Sequence, residues 1–213
     1  TFAISTYEDL KNNRISNESK NWRNDNRAGL IWLDDLYELN NDENFIYPLI
    51  DQANLFIEQS ILDPNIQVED QFFVSAIMGR AYKYTQDLKY IDFMIDHVLN
   101  SPLMRNDGIY LHSKIAEYPW GRGNGFAAYG SIEAITYTPD DYPRKNELIE
   151  KHITHLNSLV DLQTPNGAWG QVIDDENSYE ELTVTSMIGY ALVNGIKLKI
   201  LSSDYIKNLE KAW

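Results

Sequence analysis

No cysteine occurs among the 213 residues, and acidic side chains outnumber basic ones by 32 to 18, for a formal charge of −14. The first absence excludes disulfides, all-cysteine zinc sites and thiol nucleophiles. The second removes the basic footprint that general nucleic-acid binding requires and disfavours anionic membrane surfaces. Neither a nucleic acid nor a membrane is therefore expected as a partner. No apolar run reaches transmembrane length, and Thr1-Phe2-Ala3-Ile4 does not read as a signal peptide; nothing in the chain selects a compartment. Metal-binding spacings are also missing. There is no HxH or HExxH, and Asp174-Asp175-Glu176 departs from the EF-hand pattern and lacks its glycine, so no metal and no cofactor are expected. Without a GxSxG elbow, serine hydrolysis is unsupported.

What is present suits a folded domain: 43% hydrophobic and 12% aromatic residues, in a chain long enough to bury roughly 70% of its surface. The chain also repeats itself. Asp25–Asp51 lies on Asp70–Asp96 without a gap at an offset of 45, with identities at Asp25/Asp70, Tyr37/Tyr82, Asp42/Asp87, Ile46/Ile91, Ile50/Ile95 and Asp51/Asp96. That period fits paired helices. Ala28, Trp32, Leu36 and Leu39 in one unit, and Phe73, Ile77, Ala81 and Tyr84 in the next, follow the three-or-four spacing of a buried stripe, as do Leu88, Ile91, Ile95 and Val98 in a second helix. Asn40-Asn41-Asp42 and Thr85-Gln86-Asp87 supply the polar turns of helical hairpins.

Two looser pairs follow, 125–137 with 146–162 and 181–193 with 203–213, separated by Gly- and Trp-containing loops at 106–124 and 163–179. The expected fold is all-α, an (α/α)₆ barrel, with residues 1–213 forming a single domain behind an irregular segment 1–20. About four hairpins do not close a six-hairpin toroid, so an incomplete or shortened barrel is expected, opening without Met and stopping at Trp213 within what reads as a helix, with an irregular helical domain as the alternative.

In such a barrel all inner-helix N-termini emerge at one rim. Asp25, Asp70 and Glu181 stand there, either as helix caps or as carboxylates converging on a cleft. Asp70 is favoured as a proton-transfer group because Glu69 adjoins it and Phe72 and Phe73 follow. Trp120-Gly121-Arg122-Gly123-Asn124-Gly125 is either a tight loop entering a helix or a ligand loop, in which Trp120 offers a stacking face and Arg122 a carboxylate clamp. Trp169 and Gln171 form a second such element, a sugar platform or a core tryptophan beside an amide. His112 is the histidine placed for a site; His97, His152 and His155 read as surface or packing residues.

These pieces, together with Gly108-Ile109-Tyr110-Leu111-His112, Gly167-Ala168-Trp169-Gly170-Gln171 and Glu181-Leu182-Thr183, occur in the order seen in unsaturated uronyl hydrolases of glycoside hydrolase families 88 and 105, which the chain resembles from about Asp25 to Trp213. The resemblance implies an (α/α)₆ barrel that removes a 4,5-unsaturated uronic acid from the non-reducing end of lyase-generated oligosaccharides. It implies hydration of the enol ether, with Asp70 as the catalytic acid/base and Asp25, His112, Trp120, Arg122, Asn124, Trp169 and Gln171 binding substrate. Rhamnogalacturonan fragments are the expected substrate, because the Trp-Gly-Arg-Gly-Asn-Gly loop resembles the family 105 form; glucuronyl hydrolysis of other uronides, a non-catalytic oligosaccharide-binding barrel and a helical scaffold are the alternatives. Where the families usually carry Trp and a hydrophobic residue before the catalytic Asp, this chain has Val68-Glu69, and Phe126 replaces a frequent Trp. A charge of −14 repels a uronate, so a productive site needs a local cation, for which Arg122 and His112 are available.

Overall fold

The structure, a computed structural model, describes residues 24–58 and 66–213 and, apart from these, Ser5. The irregular segment expected over 1–20 lies, Ser5 aside, outside the described residues. The described chain folds as helical hairpins. The first comprises α1 (Asn24–Ala28) and α2 (Trp32–Asn40), then a 3₁₀ turn (Glu43–Phe45) leading into α3 (Ile46–Glu58); the second pairs α4 (Asp70–Thr85) with α5 (Lys89–Leu99). In the third, α6 (Gly121–Tyr137) precedes α7 (Lys145–Asp161), and in the fourth α8 (Leu182–Lys197) precedes a 3₁₀ turn (Ser203–Tyr205) and α9 (Ile206–Ala212). Helix α4 packs along α6, and α6 along α8, while α5 and α7 meet behind them. An inner row of helices is thus backed by an outer one. Ile77, Met78, Ile91, Met94, Ile95, Ile132, Leu156, Leu159 and Ile188 belong to one continuous buried core between the rows. Each such aliphatic side chain contributes about 1.5–3 kcal/mol by leaving water.

The repeat is visible as geometry. Asn41 and Gln86, equivalent at the offset of 45, both adopt the left-handed conformation, at φ 52° and 58°, and donate their N–H groups to the carbonyls of the equivalent Tyr37 and Tyr82. Asp42 and Asp87 then each accept a backbone N–H two residues on, which starts the outward helix.

Three details differ from the periodic reading. The first inner helix is broken at Gly29-Leu30-Ile31 into α1 and α2; glycine costs about 1 kcal/mol in a helix interior, and the second unit has Val74 at that place. Past the break the buried stripe moves to Leu33 and Leu36, leaving Leu39 81% exposed. Leu88, expected in the α5 stripe, precedes that helix and is exposed. Helix α6 also starts four residues earlier than expected, at Gly121, so its glycines lie in helical turns rather than in a loop.

Space explains those glycines. A Cβ on Gly121 would stand 2.1 Å from the Gly170 carbonyl oxygen, one on Gly123 2.4 Å from Val68, and one on Gly130 2.5 Å from the backbone of Gln71. Close approach of inner helices and rim loops, which no larger residue permits, is their function here. Isolated bridges pair Gln67 with Ser113 and Trp120 with Val172, so each rim loop is tied by backbone to the entrance of the preceding inner helix. The turn Ser113–Ala116 closes on itself and holds Ile115 outward, 84% exposed.

Candidate active site

The rim built by these ties brings most of the expected residues together. Asp70 stands in the first turn of α4 and is 8% exposed. One carboxylate oxygen accepts the N–H of Gln67 at 3.1 Å, the reciprocal half of a capping arrangement, and the other accepts from Asn24 Nδ2 at 2.8 Å. The contacts that close the helix start also fix the orientation of the carboxyl group at the rim. The partner supplied by the first hairpin is Asn24 rather than Asp25, whose side chain is exposed beside it. Only a contact across hairpins reveals Asn24; at the sequence level it is one more polar residue near a helix start.

Backbone pairing of Val68 N–H with the His112 carbonyl, at 3.0 Å, sets His112 next to the α4 entrance. Its ring lies 5.0 Å from that of Trp120 and 5.5 Å from that of Tyr118. His112 Nε2 is 3.4 Å from Glu69 Oε1, and both side chains are largely enclosed, at 18% and 13% exposure. Periodicity does not pick out Glu69 as a neighbour of His112, although its place beside Asp70 is a signal.

On the other flank the Arg122 guanidinium lies over the Trp120 ring, 4.8 Å from its centroid, and its Nε faces Glu181 Oε1 at 3.0 Å. The contact with Glu181 is an ion pair without hydrogen-bond geometry, none of the guanidinium nitrogens makes a hydrogen bond among the described residues, and the side chain is 42% exposed. Held on one edge by Glu181 and on one face by Trp120, Arg122 keeps a donor pair for an incoming anion. Gln171 is tied by its backbone, accepting from Gly121 N–H and donating to Tyr179, and its side-chain amide has no hydrogen bond among the described residues. An aromatic row, Phe126–Phe72–Tyr129–Tyr190, with ring separations of 5.8, 4.6 and 4.3 Å, runs across α4, α6 and α8.

Two expected binding residues lie elsewhere. Trp169 is 0% exposed, with its indole N–H donated to the Leu159 carbonyl at 2.6 Å, so the ring is core and presents no face to a sugar. Asn124 is also fully buried, and both ends of its amide are occupied by Tyr110 and Trp120. His152 and His155, read as surface or packing residues, are buried, and desolvation lowers each to a pKa of about 3. Burial likewise pushes the Tyr110 phenol up to about 12.

A buried carboxyl group with fixed hydrogen bonds, a carboxylate–histidine pair and a stacked guanidinium are together suited to proton transfer on an anionic, ring-shaped substrate. Among solved structures, the chain superposes on a glycosyl hydrolase family 88 protein from Bacteroides vulgatus with a TM-score of 0.83 at 22% identity, over 93% of this chain and 65% of that one. Two curated relatives are similar in sequence. An unsaturated 3S-rhamnoglycuronyl hydrolase from Alteromonas sp. (strain LOR) is 27% identical over 157 residues, 67% of this chain and 38% of that protein. The unsaturated rhamnogalacturonyl hydrolase YesR from Bacillus subtilis (strain 168) is 31% identical over 93 residues, 44% of this chain and 25% of that protein. The chain thus spans well under half the length of the curated relatives it matches. With residues 3–213 matching Glycosyl Hydrolase Family 88, the chain belongs to that family.

Proposed function

We propose that this protein removes a terminal 4,5-unsaturated uronic acid from lyase-generated oligosaccharides, with rhamnogalacturonan fragments as the substrate class. The observation that carries the reading is the Asp70 carboxyl group, enclosed and held by Asn24 and the Gln67 N–H at the same rim as the cationic Arg122–Trp120 pair. The names of both curated relatives agree with it.

In this reaction Asp70 donates a proton to C4 of the enol ether while the C4–C5 double bond opens. Water adds at C5 and returns a proton to Asp70. The hemiketal so formed opens, and the glycosidic bond is lost with it. Arg122 binds the uronate carboxylate through the guanidinium edge that Glu181 leaves open, Trp120 and His112 flank the ring, and Gln171 meets a hydroxyl group. Asp25, at the mouth of the first hairpin, is assigned to outer sugar hydroxyls. In a molecule of charge −14 the local cation opposes the long-range repulsion of an anionic substrate.

Loss of the ultraviolet absorbance of the conjugated enol-ether carboxylate in unsaturated rhamnogalacturonan disaccharides measures the activity. Decay with the protein, and none with a folded Asp70→Asn variant that still binds the disaccharide, is the expected result. Absence of decay with the folded protein on both rhamnogalacturonan and glucuronyl substrates would overturn the reading and leave an oligosaccharide-binding barrel.

A further inference from the structure

One buried side chain holds both rim segments that carry the binding residues. From α6, Asn124 donates through Nδ2 to the carbonyls of Tyr110, at 2.9 Å, and Trp120, at 3.0 Å, and accepts the Tyr110 N–H at Oδ1, at 2.9 Å. It therefore serves both backbone groups of Tyr110, as a neighbouring strand would. A fourth contact comes from behind, where His155 on the outer helix α7 places Nε2 3.1 Å from Asn124 Oδ1. His155 is 1% exposed, and its ring meets that of Tyr110 edge-on with centroids 4.9 Å apart.

The hydrogen-bond pattern fixes the chemistry of this contact. Two carbonyls face the Asn124 nitrogen, so the atom facing His155 is the amide oxygen, an acceptor. His155 must then bring the proton on Nε2. Its Nδ1 has no hydrogen-bond partner among the described residues, and burial keeps the ring neutral. A neutral Nε2–H tautomer, enclosed in the core, thus donates to the side chain on which two rim segments hang.

Tyr110 is two residues before His112, and Trp120 is two before Arg122. We propose that His155 is a positioning residue: by donating to Asn124 it locks the amide orientation that fixes the backbone at Tyr110 and Trp120, and so sets His112, Trp120 and Arg122 for a uronate. Its effect on catalysis rests on the function proposed above; the clamp itself does not. A histidine that only filled volume would tolerate a phenyl ring of similar size and would show no tautomer preference.

Nitrogen-resolved NMR of the imidazole rings at neutral pH tests the clamp in the unaltered protein. The Nε2–H form of His155 is expected, and an Nδ1–H form would overturn the proposal. Two substitutions test its consequence: His155→Phe keeps the ring volume without the donor, and His155→Gln restores an N–H donor. With the unsaturated disaccharide, His155→Phe should raise KM about tenfold while kcat changes less than about threefold, and His155→Gln should bring KM back to within about threefold of the parent. Amide hydrogen exchange at Tyr110 and over 112–122 should quicken in the Phe variant and recover in the Gln variant. Unchanged exchange in the Phe variant, or the same KM for both variants, would overturn the proposal. Should the parent protein fail to turn over the disaccharide, the activity reading fails, while the tautomer and exchange results still decide the clamp.

Discussion

At the scale of single residues, Trp120 and Trp169 show how the same side chain serves opposite ends. Trp120 keeps a face for Arg122 at the cleft, whereas Trp169 is enclosed and bonded through its indole N–H to the last turn of α7. Replacing Trp169 with Phe leaves the Leu159 carbonyl without that donor and opens a small void. The expected cost is about 2 kcal/mol of stability, with KM for the unsaturated disaccharide unchanged. Chemical denaturation and steady-state kinetics on the same preparation check both parts, and a large rise in KM would return Trp169 to the binding surface. Sequence alone leaves this undecided, because a tryptophan between glycines reads alike whether it faces a sugar or a core. Asn124 was equally opaque, since its role depends on Tyr110 and His155, residues 14 and 31 positions away. The enclosure of Asp70 was legible, because a carboxyl group at a repeated helix start, beside Glu69 and two phenylalanines, differs from its surroundings.

Among the elements, hairpins and their turns were readable because their causes are local: a three-or-four apolar spacing, a polar turn and an aspartate that starts the next helix. The start of α6 was not, because glycines at 121, 123 and 125 lower helix propensity and so read as a loop. What makes them helical lies across the interface, where neighbouring segments leave no room for a Cβ at Gly121 and Gly123 and little at Gly125. Gly130 is the sharpest case for experiment. A methyl group there meets Gln71 and Phe72 backbone at 2.5–2.6 Å, which cannot yield by a rotamer change. Gly130→Ala should force α4 and α6 apart, cost about 2–3 kcal/mol in urea unfolding, and lower kcat because Asp70 begins the displaced helix. An unaltered unfolding midpoint would show that the helices are not so closely seated.

For the molecule as a whole, enclosed ionisable groups are accommodated either charged and paired or neutral. Asp34 pairs with Arg80 at 3.2 Å and Lys83 at 2.9 Å, and Arg80 reaches Glu133 at 3.2 Å, linking α2, α4 and α6 through groups of opposite charge. His152 and His155, by contrast, are buried neutral. Their folded pKa values of about 3 lie below the 6.5 of an exposed imidazole, so on acidification the unfolded chain takes up protons first. Stability from this source is complete above pH 6.5 and is lost as pH falls from there toward 3. At pH 5 each ring should have withdrawn about 2 kcal/mol. Thermal melts should therefore show Tm dropping between pH 7.5 and pH 5, and His152→Leu should flatten that slope; a Tm independent of pH in this range would contradict the burial of both rings.

The backbone ties of the rim have a further consequence for how such a site can diversify. The short turn carrying Ile115 hangs between two pinned points, Ser113 bridged to Gln67 and Tyr118 whose carbonyl accepts from His112. Residues inserted between them would lengthen an outward arm while the imidazole two posts away kept its place. Length added at this turn would therefore project into solvent and leave the backbone registers on either side of it unchanged.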